Sequence, residues 1–138
     1  MVALVRPGGW VASFEADYFA HICDPPLPAW THLLDAYTAY TVQQGIDIFV
    51  GRRIHRLFRA AGVEDIRVDA VMHVYPPGHD RRPILRDFII NVRDKLIGGG
   101  FITLSELERA MADLERHLAD PDVMVTSHMF FRLIGRVP

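Results

Sequence analysis

The chain has 138 residues, of which 50% are hydrophobic and 23% charged, a composition typical of folded globular proteins that excludes a disordered chain. The formal net charge of −2 gives no general attraction to nucleic acid or to an anionic membrane, so we expect neither as a partner. The single cysteine, Cys23, excludes an intrachain disulfide and a zinc site built from cysteines.

The first predicted element is a buried strand that follows a tight turn. The Pro7–Gly9 turn ends any preceding helix and lets the chain reverse, and Trp10–Phe14 is short, apolar and rich in strand formers. Glu15 and Asp17 come next, so we expect both acids just beyond the carboxyl end of this strand, where open α/β sheets bind ligands. A solvated loop in which Asp17 caps a turn accounts for the same residues equally well.

Four helices and two more strands are predicted after this strand, in the order β-α-α-β-α-α-β. Apolar residues at three- and four-residue spacing indicate the helices, and a period of two indicates the strands. The predicted helices cover about 29–44, 52–61, 83–97 and 103–118, and the predicted strands cover 66–75 and 126–135.

Local signals support the ends of these helices. Thr103 and Glu106 have the spacing of a capping box at the start of the last helix. The three glycines at 98–100 stand between two predicted helices, so we interpret them as a helix terminator and not as a cradle for a phosphate or nucleoside.

Several segments resemble the class I S-adenosylmethionine-dependent methyltransferases of the small-molecule type. Leu4–Val11 is similar to the Pro-Gly-Gly turn before the fifth strand of that family. Gly51–Gly62 and Ile66–Val68 resemble the following helix and sixth strand, and Phe131–Pro138 resembles the last strand. The segments occur in the family's order, and together they correspond to the C-terminal half of its domain.

The resemblance implies an α/β fold, namely the C-terminal part of a Rossmann-like methyltransferase sheet. We expect a three-stranded mixed sheet with four helices, in which the last strand lies antiparallel between its two predecessors. Residues 1–138 would form one partial domain, and the helices at about 80–120 would be an insertion that shapes the substrate pocket.

The family's cofactor is S-adenosylmethionine, but the residues that would bind it are missing from this sequence. Binding needs a glycine-rich turn after a first strand and an acid about 20 residues further on. Neither glycine cluster of this chain has that context, so we expect no cofactor for the chain alone.

Two hypotheses remain open: an inactive, substrate-side portion of a methyltransferase, truncated or internally started, and a non-catalytic ligand-binding or oligomerisation module derived from one. Whether the chain is an enzyme is uncertain, and the sequence identifies no catalytic residue.

The resemblance places the substrate side around the end of the first strand and the first long helix. The predicted substrate-binding residues are Glu15, Asp17, Tyr18, His21, Trp30 and Tyr37. Core packing accounts for Trp30 and Tyr37 as well as a pocket wall does. The seven histidines show no compact ligand spacing, so no metal is expected. The arginines around position 52 are interpreted as a solvated helix face.

The predicted partners are a small-molecule substrate and a second copy of the chain. Strand 10–14 would lack a neighbour on one side and carries neither lysine nor proline, which makes it a template for pairing. No apolar run approaches the roughly 20 residues of a membrane span and no signal-like pattern begins the chain, so we expect a cytoplasmic protein.

Overall fold

The sequence folds into four α-helices and two small three-stranded antiparallel sheets within residues 2–138, the part described by this computed structural model. The helices are α1 (Pro28–Gln43), α2 (Ile54–Ala60), α3 (Ile84–Gly98) and α4 (Leu104–Ala119). The strands are β1 (Trp10–Asp17), β2 (Cys23–Asp24), β3 (Glu64–Val71), β4 (Val74–Tyr75), β5 (Met124–Thr126) and β6 (Met129–Arg136). The described residues divide into two compact units, the first from 2–21, 48–73 and 128–138 and the second from 22–47 and 74–127.

The sheet of the first unit has the strand order β1-β6-β3, with the last strand of the chain in the middle. β6 is antiparallel to both neighbours, so Arg132 stands opposite Phe14 on one side and Asp69 on the other. Gly135 lets this sheet pack closely, because a Cβ at that position would overlap a Val63 methyl group.

The two faces of this sheet differ in what covers them. One face carries Val11 and Leu133, and α2 packs its apolar side, Ile54 and Phe58, against them in one buried cluster. The other face, which we call the open face, keeps large apolar side chains at the surface. Trp10, Phe14 and Ile134 are 51%, 57% and 41% exposed there.

The second unit is built mainly from α1, α3 and α4, whose apolar sides form its core around Leu33, Leu85, Leu96 and Leu114. The predicted capping box is confirmed: the Thr103 hydroxyl accepts from Glu106 N–H, and the Glu106 carboxylate accepts from Thr103 N–H. The predicted glycine terminator is also confirmed, since α3 ends at Gly98 and Gly100 adopts a φ of +72°.

The strands differ from the prediction in several ways. The chain forms two separate antiparallel sheets, not one mixed sheet. The predicted strand 66–75 breaks between β3 and β4, and the predicted strand 126–135 breaks between β5 and β6, because the two halves of each run pair in different sheets. A period of two shows which side chains of a strand lie on the same face. It does not show which other strand pairs with each half of a predicted strand.

The first strand is longer than predicted. It continues to Asp17, so Glu15 and Asp17 lie within β1 and not in a loop beyond it. Both residues pair with β6, opposite Phe131 and Met129, which extends the ladder through two acids that single-sequence propensity assigns to a loop.

Candidate functional site

An ion pair stands at the carboxyl end of β1. Asp17 is 2% exposed, and its two oxygens accept hydrogen bonds from Arg52 Nη2 at 2.5 Å and Arg52 Nε at 2.6 Å. Asp17 Oδ1 also accepts from Phe19 N–H, and Asp17 Oδ2 accepts from Arg52 N–H. Asp17 thus caps the short 3-10 helix Tyr18–Ala20 and holds another 3-10 helix, Val50–Arg53, against the same strand end.

Charge and burial shift the pKa of Asp17 in opposite directions. Burial by itself raises the pKa of the Asp17 carboxyl, but the hydrogen bonds from Arg52 and from Phe19 N–H, with the Arg52 charge, hold that pKa below its ordinary value. Asp17 is therefore an anion at neutral pH whose acceptor positions are engaged by protein donors. This arrangement gives Asp17 a positioning role, while its predicted contact with substrate stays a prediction.

The Arg52 guanidinium also lies over two phenyl rings. Its Cζ is 4.9 Å from the centroid of Phe19 and 5.2 Å from that of Phe49, within the range of cation–π contact. Phe19 is 78% exposed, so this end of the strand presents an aromatic ring to solvent above a fixed charge pair.

A continuous row of aromatic rings connects the open face to buried side chains of the first unit. Phe14 stacks on Phe130 at 5.0 Å, Phe130 meets His128 edge-on at 6.1 Å, and His128 contacts Tyr18 at 3.8 Å and His21 at 4.3 Å, all measured between ring centroids. We call these five residues the aromatic row. The row is exposed at Phe14 and buried at His21, which is 4% exposed.

The two histidines of the aromatic row are neutral at physiological pH. Burial lowers the pKa of His21 to about 3, with a smaller contribution from His128, and burial lowers the pKa of His128 to about 4. Neutral imidazoles act as stacking surfaces and as hydrogen-bonding groups, whereas groups with such low pKa values are poor proton acceptors at pH 7.

A shallow groove of about 590 Å³ lies on the open face and adjoins the aromatic row at Phe14. Ala12 and Ile134 are among the apolar side chains that line it, and Arg67, Asp69 and Arg132 supply the charges. Arg132 Nε donates to Asp69 Oδ1 at 2.5 Å, so the two guanidinium groups outnumber the one carboxylate. The groove combines an aromatic wall with a surplus of positive charge.

The predicted site residues belong to both units. Glu15, Asp17, Tyr18 and His21 lie in the first unit, where the Glu15 carboxylate accepts from Ser13 Oγ at 2.7 Å. Trp30 and Tyr37 lie on α1 in the second unit.

Trp30 and Tyr37 have the character of packing residues within that unit. Trp30 is 4% exposed and belongs to the core cluster, and Tyr37 packs against the same cluster and stacks on Phe88 at 5.8 Å. These contacts agree with the core alternative that the sequence leaves open, and a role for either residue in binding a substrate stays a prediction.

The sequence pattern does not single out Arg52, His128 or Phe130 for this region. Arg52 belongs by pattern to a solvated helix face, and its side chain is 44% exposed, yet its charge is held by Asp17, 35 residues earlier. A signal for His128 is present, because the polar run Thr126-Ser127-His128 begins a predicted strand that is otherwise mainly apolar. All three residues of that run are buried.

Metal-binding and membrane-spanning features are absent from residues 2–138. In this range, no group of three or more histidine, cysteine, aspartate or glutamate side chains is placed to hold a metal ion. No helix there has the length and apolar character required to cross a bilayer.

Comparison with known proteins gives this chain no family. No protein-family model matches the chain, and no curated protein sequence matches it.

Proposed function

We propose that the chain is the substrate-side, C-terminal portion of a cytoplasmic S-adenosylmethionine-dependent small-molecule methyltransferase. In this proposal the first unit is the tail of a Rossmann-like sheet, and the methyl-donor half is not encoded in these 138 residues. The chain alone binds an acceptor molecule but transfers no methyl group.

One observation carries the proposal: the final strand lies between the other two strands and runs antiparallel to both. Leu4–Val11 resembles the turn before the family's fifth strand, Ile66–Val68 resembles the sixth strand and Phe131–Pro138 resembles the last strand, and this resemblance implies the same order. Since most consecutive strands of a chain pair as neighbours, a last strand in the middle is a less common arrangement, which gives the agreement its weight.

The groove on the open face indicates the class of acceptor. Phe14 offers a stacking surface, and Arg67 and Arg132 favour a negative group. We therefore propose a small planar aromatic compound that carries a carboxylate, with its ring against the aromatic row and its acid toward the guanidinium groups.

The test is a titration of the ¹⁵N-labelled 138-residue chain with benzoate, 4-hydroxybenzoate and phenol, followed by NMR. We expect the two acids to shift the amides of Phe14, Arg67 and Arg132 in a saturable way, and phenol to bind at least about fivefold more weakly, as loss of a charge-assisted contact implies. Arg67→Gln should remove most of the difference between acid and phenol. Arg56→Gln, at an exposed arginine on α2, is the matched control and should leave the difference unchanged.

Equal binding of phenol and the acids, or shifts confined to residues outside the groove and the aromatic row, would count against this acceptor class.

The second candidate function is a non-catalytic module derived from a methyltransferase. The exposed edge of β1 favours it, because that edge gives the chain a surface for association that does not involve catalysis.

A further inference from the structure

The two edges of the first unit's sheet are protected to different degrees. β3 forms one edge and carries four charged residues, Glu64, Asp65, Arg67 and Asp69. Its pairing with β6 is also irregular between Glu64 and Arg67, where Asp65 adopts a φ of +50°. Charges and bulges of this kind prevent one sheet edge from pairing with another.

β1 forms the other edge of this sheet, and its first five residues lack such charges and irregular pairing. From Trp10 to Phe14 it contains no charged residue and no proline, and its pairing with β6 is regular over all eight residues. The open part of this edge ends before Glu15, which is charged. Gly51 packs so closely that a Cβ there would lie 3.0 Å from the Ala16 carbonyl oxygen, and Tyr18 N–H donates to Ile48 C=O. Residues 10–14 therefore present an unprotected edge.

The pairing pattern identifies the backbone groups that point outward. Val137 N–H donates to Gly9 C=O, and antiparallel ladders alternate, so Val11, Ser13 and Glu15 exchange hydrogen bonds with β6. The N–H and C=O groups of the residues between them then point away from β6, toward the free edge. These residues are Trp10, Ala12, Phe14 and Ala16.

The side chains of these four residues alternate between large and small. Trp10, Ala12, Phe14 and Ala16 share one face of the strand. If two copies of β1 pair antiparallel about a two-fold axis at Ser13, Ala12 stands opposite Phe14 of the second copy and Trp10 stands opposite Ala16. Each large side chain then meets a small one.

The same register avoids like-charge contacts. Glu15 stands opposite Val11 of the second copy, and Asp17 stands opposite Gly9. Like charges placed directly opposite across a ladder are destabilising, so this register meets no such penalty.

We propose that β1 is a dimerisation edge whose occupant is β1 of a second copy, paired antiparallel about Ser13. The resulting six-stranded sheet has the order β3-β6-β1-β1-β6-β3 and brings the open-face grooves of both copies together at Phe14. A two-fold contact of this kind satisfies both edges with one self-complementary surface.

The first measurement is sedimentation of the 138-residue chain at about 50 μM, a concentration at which a specific dimer of micromolar affinity is well populated. We expect a species of twice the 15.7 kDa chain mass. A monomer at that concentration would overturn the proposal.

The register is tested with two opposite-charge variants, Ala12→Lys and Phe14→Glu. Each alone should weaken association at least about tenfold, because a charge replaces one side of the Ala12–Phe14 contact. An equimolar mixture should associate more tightly than either variant alone. In the mixed dimer the introduced lysine of one copy faces the introduced glutamate of the other, while the second Ala12–Phe14 contact is intact. A mixture no tighter than its components would overturn the register.

The matched control is Ala70→Lys, which places the same charge at an exposed alanine on β3, the opposite edge. It should leave association unchanged, and circular dichroism establishes that all three variants are folded. Dimers that survive Ala12→Lys and Phe14→Glu but dissociate with Ala70→Lys would assign the contact to β3 and contradict the proposal.

Discussion

At the scale of single residues, the Asp17–Arg52 pair fixes the end of β1. The pair joins a strand to a 3-10 helix 35 residues away, and four donors converge on one buried carboxylate. Removing a donor from a buried carboxylate leaves part of its charge without a partner, which lowers the free energy of unfolding.

Arg52→Lys should therefore destabilise the first unit by about 1–3 kcal/mol, because lysine cannot reproduce the two-pronged contact with Asp17. Chemical denaturation followed by fluorescence measures this change. Arg56→Lys, the same substitution at an exposed position of α2, should change the free energy of unfolding by less than about 0.5 kcal/mol. Equal effects of the two variants would show that the Asp17–Arg52 pair does not stabilise the unit.

The buried histidines make the first unit sensitive to acid. The pKa values of His21 and His128 fall to about 3 and about 4 in the folded chain, below the ordinary value of 6.5. The unfolded chain therefore binds protons first as the pH falls, so the contribution of these histidines to stability is complete above about pH 6.5 and declines below it.

Between about pH 6 and pH 4, each of these histidines should lower the free energy of unfolding by up to about 1.4 kcal/mol per pH unit. His128→Gln should make this dependence shallower by about half, since one of the two groups is removed, as measured by urea denaturation at several pH values. His55→Gln, which replaces an exposed histidine of α2, is the control. If the slope with His128→Gln equals that with His55→Gln, His128 is not the acid-sensitive group.

At the scale of elements, a buried arginine organises the loops around α4. Arg82 is 4% exposed, and its guanidinium donates to the backbone carbonyls of Tyr75, Leu118, Asp120 and Val123 at 2.7–3.0 Å. Two of these carbonyls stand at the C-terminal end of α4, where the helix dipole also favours a positive charge.

Arg82→Met should destabilise the second unit by about 3 kcal/mol or more, because it leaves four backbone carbonyl groups without this donor. Thermal unfolding followed by circular dichroism reports the loss. The neighbouring variant Arg81→Met changes an exposed residue and should behave like the parent chain. A loss below about 1 kcal/mol with Arg82→Met would mean that water replaces the guanidinium at little cost.

The elements also show which parts of this fold are encoded locally. The ends of α4 and α3 are predictable because the Thr103–Glu106 capping box and the glycines at 98–100 act within a few residues. The breaks after Val71 and after Thr126 are not, because each depends on which distant strand is the partner.

The candidate site also contains residues that local sequence predicts and residues that it does not. The placement of Asp17 near the carboxyl end of a strand is predictable because an acid that follows an apolar run is a local signal, while its contact with a substrate stays a prediction. Arg52 is not predictable, since its contact with Asp17 forms only when residues 35 positions apart are brought together. The sequence pattern does not predict the role of Arg82 either, because three of its four carbonyl partners lie 36 or more residues away.

At the scale of the whole molecule, the proposed function requires that the chain lack a methyl-donor site. Neither Gly8–Gly9 nor Gly98–Gly100 has the strand-turn-helix context of a nucleotide-binding turn. Calorimetric titration with S-adenosylmethionine at micromolar chain concentration should give no saturable heat. Stoichiometric binding at micromolar affinity would contradict the proposal that the donor half is missing.

Both proposals depend on one feature, the position of the final strand between β1 and β3. In an antiparallel pair the residues that do not exchange hydrogen bonds bring their Hα atoms closest together. Cross-strand NOEs between Hα atoms of the ¹³C-labelled chain therefore test the strand order most directly. We predict contacts from Phe14 to Arg132 and from Val68 to Leu133. Direct Hα contacts between strands 10–17 and 64–71, with strand 129–136 outside them, would contradict the account.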